Sequence, residues 1–240
     1  MTTQAVSNTA LKLGYWNIRG LAQASRFLLE YTGLPWTEEL YRQSGPDAVV
    51  PFDKSCWMDV KPTLGFDFPN LPYLIDGDFK ITQSAAIMKH IARMRSDLQL
   101  AGRCDKDMSR VDMLLSEYSD KKAKMTILQY TAGLEGDGAT FINGDGDADM
   151  KAHLTLFAKY LGSNNYFVGG QITLADFALY EYFTQCFEYS KAVGCDYRTL
   201  YPTLNAFCSS FEALPSIKAY LESSKYKEIT GWNNQHAKFR

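Results

Sequence analysis

The chain has 240 residues, of which 46% are hydrophobic and 22% are charged. These values are ordinary for a folded globular protein and exclude intrinsic disorder, collagen and a coiled-coil rod. With 25 basic and 27 acidic residues the net charge is −2, too weak a field to indicate binding to nucleic acid or to an anionic membrane. We therefore expect one large or two small domains that act on a small molecule or a protein.

The cysteines and the first residues indicate the cellular setting. Five cysteines are scattered along the chain without a CxxC pair, which favours a reducing, cytoplasmic environment. Residues 1–10 lack the basic and apolar regions of a signal peptide, and we predict that they form a flexible leader. No segment approaches the roughly 18 consecutive apolar residues of a membrane-spanning helix, so we expect no membrane span.

The first elements alternate between strand and helix. Residues 11–16 form an apolar run that predicts a strand, and the amphipathic segment 21–31 predicts a helix. Gly33 stands where a left-handed residue ends a helix. Residues 36–41 then predict a second strand, so the chain opens with a βαβ unit.

A hairpin and a helix complete this half. Residues 73–75 and 79–81 flank an Asp-Gly-Asp turn, and a helix is predicted from residue 82 to about residue 94. The order βαβ followed by ββα is the thioredoxin-like arrangement. We therefore predict an α/β thioredoxin-like domain, with a mixed four-stranded sheet, over residues 11–94.

The second half shows helical patterns only. We predict a polar linker over residues 95–102 and an all-α domain over residues 103–240. Thr173 and Asp176 form a capping-box variant in which Asp replaces Glu, and such a box satisfies orphan amides at the start of a buried helix. We interpret this motif as structural.

A metal site is not expected. The acidic loop 143–149 suggests an EF-hand, but counting from Asn143 places Ala148 at the glycine position and Leu154 at the glutamate position. We interpret the loop as a solvated connection between helices. The three histidines form no metal-binding pattern.

Thioredoxin-like folds carry out chemistry in the loop after the first strand, where the next helix points its amides and positive dipole end. This loop contains no cysteine. Its Tyr15 could donate a hydrogen bond to a bound sulfur and favour the thiolate, in which case the thiol comes from a ligand. Position and spacing fit equally well a core aromatic residue of an edge strand.

Two further segments could bind a peptide-like ligand. A cis proline in Asn70-Leu71-Pro72 would leave the preceding backbone groups free for an extended peptide, although most X-Pro bonds are trans. The pair Gln83-Ser84 opens a helix and could bind a carboxylate with its amides and hydroxyl, or serve as a plain N-cap.

Several segments together resemble the mu-class cytosolic glutathione transferases. They are GYWNIRGL at 14–21, LLEYTGL at 28–34, LGFDFPNLPYLIDG at 64–77, KITQSAAIMKHIAR at 80–93, RVDMLLSEYSDKK at 110–122 and FVGGQITLADFALYEYF at 167–183. The resemblance omits the leader, the acidic loop and the last residues. It implies the glutathione transferase fold, a cytoplasmic homodimer, and a detoxifying enzyme that conjugates glutathione, its co-substrate, to hydrophobic electrophiles without a cofactor.

The resemblance also implies roles for individual residues. Tyr15 would be catalytic, donating its hydrogen bond to the sulfur of glutathione. Trp57 and Lys61 match the pair that holds the glycine carboxylate, and Gln83 with Ser84 matches the γ-glutamyl grip. The remaining positions implied to bind glutathione within the subunit are Trp16, Leu21, Asn70, Leu71 and Pro72.

Two residues are implied to act across a dimer interface. Asp120 matches the carboxylate that reaches the γ-glutamyl ammonium of the glutathione bound to the partner subunit. Phe68 matches the aromatic key that inserts between helices of the partner, and a buried aromatic contact of this kind stabilises a dimer by about 2 to 4 kcal/mol.

The implied electrophile pocket is more polar than the family leads us to expect, which leaves the substrate open. Tyr130 in it would donate to a developing oxyanion or form an aromatic wall. The segment 42–55 is longer than usual, and Pro62-Thr63 replaces a more basic pair. The electrophile-binding positions are Ile18, Leu21, Ser119, Lys122, Thr126, Tyr130 and Trp232.

Other functions remain open at this stage. A ligandin-like or crystallin-like protein would keep the fold and turn over little. A dithiol oxidoreductase would require a redox cysteine at the first helix, which is absent. An isomerase would use the same thiolate chemistry as the transferase.

Overall fold

The computed structural model of the chain describes residues 10–229 and 231–240. The predicted leader therefore lies outside the described residues, apart from Ala10. Among the described residues, no helix is both long and apolar enough to cross a membrane.

Four strands form one mixed sheet in the order β2-β1-β3-β4. β1 (Leu11–Trp16) runs parallel to β2 (Trp36–Tyr41) and antiparallel to β3 (Tyr73–Asp76), which pairs antiparallel with β4 (Phe79–Thr82). This is the predicted thioredoxin-like sheet. Because β1 lies between two strands, the interpretation of Tyr15 as a residue of an edge strand is wrong.

Three helices accompany the sheet. They are α1 (Gln23–Thr32), α2 (Ser55–Met58) and α3 (Ser84–Met94). α1 ends at Gly33, which has a φ of 65°, as the sequence predicted. Without a Cβ, glycine adopts this left-handed conformation at little cost.

The second half is helical, as predicted. Apart from an isolated bridge between Val168 and Gln171, the structure describes no β-structure after residue 95. The helices are α4 (Asp105–Thr131), α5 (Gly136–Asn143), α6 (Met150–Leu161), α7 (Leu174–Lys191), α8 (Tyr197–Leu200), α9 (Pro202–Glu212), α10 (Pro215–Glu222) and α11 (Ser224–Lys227).

α7 forms the centre of the core, and nearly all of its residues are buried. Its first turn is fixed by the predicted capping box, which is confirmed. Asp176 accepts hydrogen bonds from the backbone N–H and the hydroxyl of Thr173, at 2.7 and 3.0 Å, and from the backbone N–H of Phe167 at 3.0 Å. Buried amides at the start of this helix are therefore satisfied.

The sheet half and the helical half pack through aromatic side chains. Phe27 of α1 lies in edge-to-face contact with Tyr180 of α7 and Phe211 of α9, and Tyr31 contacts Phe177. Such contacts combine a large buried apolar area with favourable ring geometry. They hold α1, and with it the loop that follows β1, against α7.

The connection between the halves is less polar than the sequence suggested. A short 3-10 turn spans Ser96–Leu98, and Leu100 is fully buried. The carbonyl oxygen of Leu100 accepts a hydrogen bond from the backbone N–H of Leu174 at 2.9 Å. The acidic loop lies between α5 and α6, as predicted, and Lys151 forms a surface ion pair with its Asp145 at 2.8 Å.

Candidate active site

The centre of the site is the hydroxyl of Tyr15, near the end of β1. The side chain is only 5% exposed, and its oxygen accepts a hydrogen bond from the backbone N–H of Leu21 at 3.0 Å. A phenol has one proton and two lone pairs. Since the Leu21 amide uses a lone pair, the proton of the hydroxyl stays available for donation to a ligand atom.

The surroundings of Tyr15 keep this proton in place. Burial raises the pKa of Tyr15 to about 12, and the hydrogen bond from Leu21 opposes the rise only in part. The nearby Tyr130 acts in the same direction as burial, and the guanidinium of Arg26 acts against it. Tyr15 is therefore a neutral donor at physiological pH.

The loop that follows Tyr15 passes very close to its ring. Gly20 has a φ of 43°, and a Cβ at this position would come within 2.5 Å of the Tyr15 oxygen. Both the backbone conformation and the lack of space require glycine here. In the segment 14–21, Gly20 is therefore required for space beside Tyr15, whereas Tyr15 is the residue suited to the chemistry.

A buried arginine fixes the start of the same loop. The Arg26 side chain is fully buried and donates to the carbonyl oxygens of Ile18 at 2.8 Å and Trp16 at 3.4 Å. It also forms a salt bridge of 2.6 Å with Glu38 on β2. Because its donors are arranged in a rigid plane, Arg26 holds the loop on both sides of Asn17.

Strand register brings the predicted glutathione-binding segments to one edge of the sheet. Tyr73 is paired with Gly14 on one side and with Thr82 on the other. The next residue of each strand segment therefore lies at the same edge of the sheet, where β1 and β4 end and β3 begins. These neighbouring residues are Tyr15, Pro72 and Gln83.

The individual groups at this edge are arranged as follows. The bond between Leu71 and Pro72 is cis, and the side-chain oxygen of Asn70 accepts from the backbone N–H of Leu71 at 2.9 Å. Gln83 has a φ of 75° and makes no side-chain capping bond at the start of α3, where Ser84 is the first helical residue. Gln83 therefore occupies the N-cap position without supplying a side-chain cap, so its side chain does not satisfy the first amides of α3.

Trp57 of α2 packs against residues of β2 and β3. Its ring is buried against Tyr41 and Tyr73, with ring centroids 5.2 and 6.1 Å apart. Trp16 in turn packs against Tyr41 at 6.3 Å. These aromatic contacts connect the predicted glycine end of the site to β1, and Lys61 lies half-buried one turn after Trp57.

The predicted electrophile-binding residues differ in their exposure. Ile18 and Trp232 are buried, and the Tyr130 hydroxyl accepts from the backbone N–H of Asn234 at 2.9 Å. Leu21 is partly exposed, Thr126 is half-buried and Ser119 is exposed.

Lys122 lies in the interior between α4 and α7. It is 2% exposed and donates to the side-chain oxygen of Gln185. Burial lowers its pKa to about 8, although the carboxylate of Glu181 acts in the opposite direction. The amine is therefore held in a low-dielectric environment where its charge is costly.

The two residues predicted to act across a dimer are both accessible. The Phe68 side chain is 79% exposed, which is unusual for a large aromatic residue. Asp120 is exposed on α4.

Most of the last ten residues, which form one wall of the site, were not predicted to belong to it. Here they are called the tail, residues 231–240. Its carbonyl oxygens at Gly231 and Trp232 accept from the backbone N–H groups of Arg19 at 3.0 Å and Gly20 at 3.1 Å. Asn233 donates to the side-chain oxygen of Gln129 at 2.9 Å.

Arg19 was also missed. Its guanidinium binds both carboxylate oxygens of Glu181 on α7, at 3.0 and 2.5 Å, and lies 3.6 Å from the ring centroid of Trp232. This side chain therefore connects the loop after β1, α7 and the tail. No local pattern identifies it, since Arg19 and Glu181 are 162 residues apart.

The tail contacts the longer segment 42–55 as well. A ring nitrogen of His236 lies 3.1 Å from the side-chain oxygen of Gln43, and the His236 ring contacts Tyr130 at 4.9 Å and Phe52 at 6.0 Å. The unusual length of this segment was noted in the sequence, but its contact with the tail was not.

Comparisons with known proteins agree with this geometry. The N-terminal domain model of glutathione S-transferases matches residues 11–93, and a C-terminal domain model of the same family matches residues 146–224. Glutathione S-transferase Mu 2 of Macaca fascicularis is 39% identical over 219 residues, which cover 90% of this chain and 92% of that protein. The human protein of the same name is 38% identical over the same shares of the two chains.

Two further relatives extend the similarity. Glutathione S-transferase 2 of Gallus gallus is 37% identical over 229 residues, which cover 93% of this chain and 97% of that protein. Among solved structures, the pi-class glutathione S-transferase of Onchocerca volvulus superposes with a TM-score of 0.76 at 25% identity and covers 95% of this chain and 100% of its own.

Proposed function

The chain belongs to the glutathione S-transferase family, in its mu class, and from this premise we propose that Tyr15 activates the thiol of glutathione for transfer to an electrophile. The thiolate attacks the electrophilic carbon directly. One bond forms between sulfur and carbon, while the electron pair of the bond broken at that carbon passes to a leaving group, an epoxide oxygen or an enolate. The thiol proton goes to solvent and the alkoxide or enolate takes a proton from solvent, so no covalent intermediate with the protein is needed.

The observation that carries this proposal is the free proton of a buried phenol. Tyr15 accepts from Leu21, keeps its proton because its pKa is about 12, and stands at the sheet edge beside Pro72 and Gln83. A donor in this environment stabilises a thiolate more than a thiol.

The energy required is within reach of this arrangement. Lowering a thiol pKa by about 2 units corresponds to about 2.7 kcal/mol of preferential stabilisation of the thiolate. A hydrogen bond to a charged group contributes about 1.5 to 3 kcal/mol, and the positive end of a nearby helix adds about 0.3 to 1 kcal/mol. One well-placed tyrosine and the amides at the start of α1 are therefore sufficient to lower the pKa of the glutathione thiol by about 2 units.

The rest of the tripeptide would be held along the same edge. We propose that Trp57 and Lys61 bind the glycine carboxylate, that Asn70 and the Leu71 backbone bind the central peptide, and that Gln83 and Ser84 bind the γ-glutamyl end. The uncapped start of α3 supports the last assignment, because exposed helix amides attract a carboxylate.

We also propose a homodimer that acts in the cytoplasm. An apolar ring as exposed as that of Phe68 is stabilised when a partner covers it. Asp120 would then reach the γ-glutamyl ammonium bound to the partner subunit, which makes each site depend on the dimer.

Tyr130 is proposed to assist the electrophile. Its hydroxyl accepts from the tail at Asn234, so its own proton remains available to a developing oxyanion. This would favour epoxide opening and addition to enones.

The test is the ultraviolet difference spectrum of bound glutathione, titrated at several pH values in the wild type and in Tyr15→Phe. We expect a thiolate band below the pKa of free glutathione in the wild type and its loss in the variant, with little change in glutathione affinity. Tyr160→Phe, a substitution on α6, is the matched control and should keep the band. No band at any pH in the wild type would favour the ligand-binding alternative.

A further inference from the structure

A polar cavity of about 260 Å³ lies between three segments of the site. The loop after β1 contributes Asn17 and Ile18, the residues after β2 contribute Arg42 and Gln43, and the tail contributes residues 233–235 and Arg240. Of this set, only Ile18 was predicted to lie in the electrophile pocket. The cavity is large enough for part of a small ligand.

The cavity lies next to the thiol-activating tyrosine. Asn17 and Ile18 are two and three residues after Tyr15 in the chain. The tail is bound to the same loop, because the backbone N–H of Gly20 donates to the carbonyl oxygen of Trp232 at 3.1 Å. Tyr130, which influences the pKa of Tyr15, binds the tail at Asn234. An electrophile near the Tyr15 hydroxyl would therefore extend toward this cavity.

Two basic residues, Arg42 and Arg240, line the cavity, and its lining includes no aspartate or glutamate. Both arginines are exposed to solvent. Within residues 10–229 and 231–240, neither guanidinium lies within 4.0 Å of a carboxylate. By contrast, Arg19 and Arg26, which lie deeper, each have a glutamate partner.

We propose that this cavity selects electrophiles that carry a carboxylate, which Arg42 binds. The apolar reactive part of the molecule then lies against Ile18, Tyr15 and Tyr130. The proposal rests on the proposed function, because it names the substrate class of the same site. Arginine suits this role, since its planar donors match the two oxygens of a carboxylate.

The carboxylate could also come from the glycine end of glutathione. That group is assigned above to Trp57 and Lys61, and the Trp57 ring contacts the ring of Tyr41, the residue before Arg42, with centroids 5.2 Å apart. The experiment must therefore separate the carboxylate of an electrophile from that of glutathione.

The experiment compares two phenyl enones that differ only at the para position, where one carries a carboxylate and the other its methyl ester. For each compound, kcat/KM is divided by the rate constant of its uncatalysed reaction with glutathione, which removes the difference in intrinsic reactivity. The quotient of the two corrected values is the carboxylate preference. We expect a preference above one in the wild type and a decrease when salt is raised, since salt screens partly exposed charges.

The variants are Arg42→Met and Arg42→Lys. Methionine keeps much of the length and removes the charge, so the carboxylate preference should fall about tenfold, the change expected from a lost charge-assisted contact. Lysine keeps a charge without the planar donors and should retain part of the preference. Lys218→Met, which removes an exposed charge on α10, is the matched control and should leave the preference and the turnover of both compounds unchanged.

Two outcomes would overturn the inference while the proposed function stands. In the first, both enones are converted and the preference is one or is unchanged in Arg42→Met. In the second, Arg42→Met raises the KM for glutathione and leaves the preference intact, which would assign Arg42 to the glycine carboxylate. If the wild type converts neither compound and shows no thiolate band, the proposed function fails and the inference fails with it.

Discussion

The backbone N–H of Leu21 donates to the hydroxyl oxygen of Tyr15 across 3.0 Å, so the tyrosine receives a hydrogen bond from the loop that it precedes. Since burial raises the pKa of Tyr15 to about 12, we expect no tyrosinate absorbance from this residue at pH 10, where an ordinary tyrosine is about half ionised. The measurement is the absorbance of the wild type minus that of Tyr15→Phe during a pH titration. A midpoint at or below pH 10 would contradict a neutral donor.

Gly20→Ala should reduce turnover without removing the tyrosine. The new methyl group would come within 2.5 Å of the Tyr15 oxygen and displace it from Leu21. Gly33→Ala is the matched control, because Gly33 also has a positive φ of 65° but nothing within 4 Å of its Cβ position. The positive φ should cost each variant about 1 to 2 kcal/mol of stability, measured by urea unfolding, and the overlap with Tyr15 should add to this loss in Gly20→Ala. Only Gly20→Ala should lose the thiolate band.

The ion pair of Arg19 with the fully buried Glu181 should appear as a strong coupling energy. Removing one partner of a buried pair leaves an uncompensated charge and costs about 3 to 5 kcal/mol. We expect Arg19→Ala with Glu181→Ala to cost clearly less than the sum of the two single variants. Urea unfolding of the four proteins at one protein concentration gives the coupling. Additivity within about 0.5 kcal/mol would show that the pair does not act as a unit.

Lys122 should make stability depend on pH above neutrality. Its pKa in the folded protein is lowered to about 8, mainly by burial, whereas in the unfolded chain it is about 10.4. Between these values the unfolded chain binds a proton that the folded protein does not, so the free energy of unfolding rises with pH, by up to about 3 kcal/mol.

The measurement is the free energy of unfolding of the wild type minus that of Lys122→Met, at several pH values from 7 to 10. The difference should grow toward alkaline pH, because only the wild type carries the lysine. Lys218→Met serves as the control, since an exposed amine is hydrated in both states. Curves for the wild type and Lys122→Met that stay parallel would contradict the prediction.

Phe68→Ala should weaken the dimer and glutathione binding together, because Asp120 is proposed to act only across the interface. The expected loss of association energy is about 2 to 4 kcal/mol. Sedimentation measures the dimer, and titration with glutathione measures the site. Leu200→Ala, which truncates another exposed apolar residue, is the control. Unchanged glutathione affinity in a monomeric Phe68→Ala protein would exclude a role for Asp120 across the interface.

The sequence predicted the elements whose signals are local. The apolar run of β1, the turn between β3 and β4 and the glycine at the end of α1 each follow from neighbouring residues, and so does the capping box at Asp176. Tyr15 was likewise proposed from a local signal, its position near the end of the first strand.

The contacts that close the site depend on residues far apart in the chain. Gln43 and His236 are separated by 193 positions, and Arg19 and Glu181 by 162. Each of these residues is polar and has no periodic pattern around it, so hydrophobic periodicity gives no signal. The prediction that Lys122 binds the electrophile stays a prediction, and its burial against Gln185 could not be inferred because a lysine is ordinarily exposed.

Arg26 belongs to the residues that position Tyr15, and these residues are distinct from those that would select the electrophile. The activation of the thiol and the choice of substrate can therefore change separately. Arg26, Gly20 and Leu21 hold the tyrosine from the side of α1, whereas the cavity proposed to accept the electrophile is lined largely by residues after β2 and by the tail. Mutations that alter which molecules are accepted can therefore accumulate in the second group while the reactive thiol keeps its environment. New substrates become accessible to such a protein through steps that each leave it active.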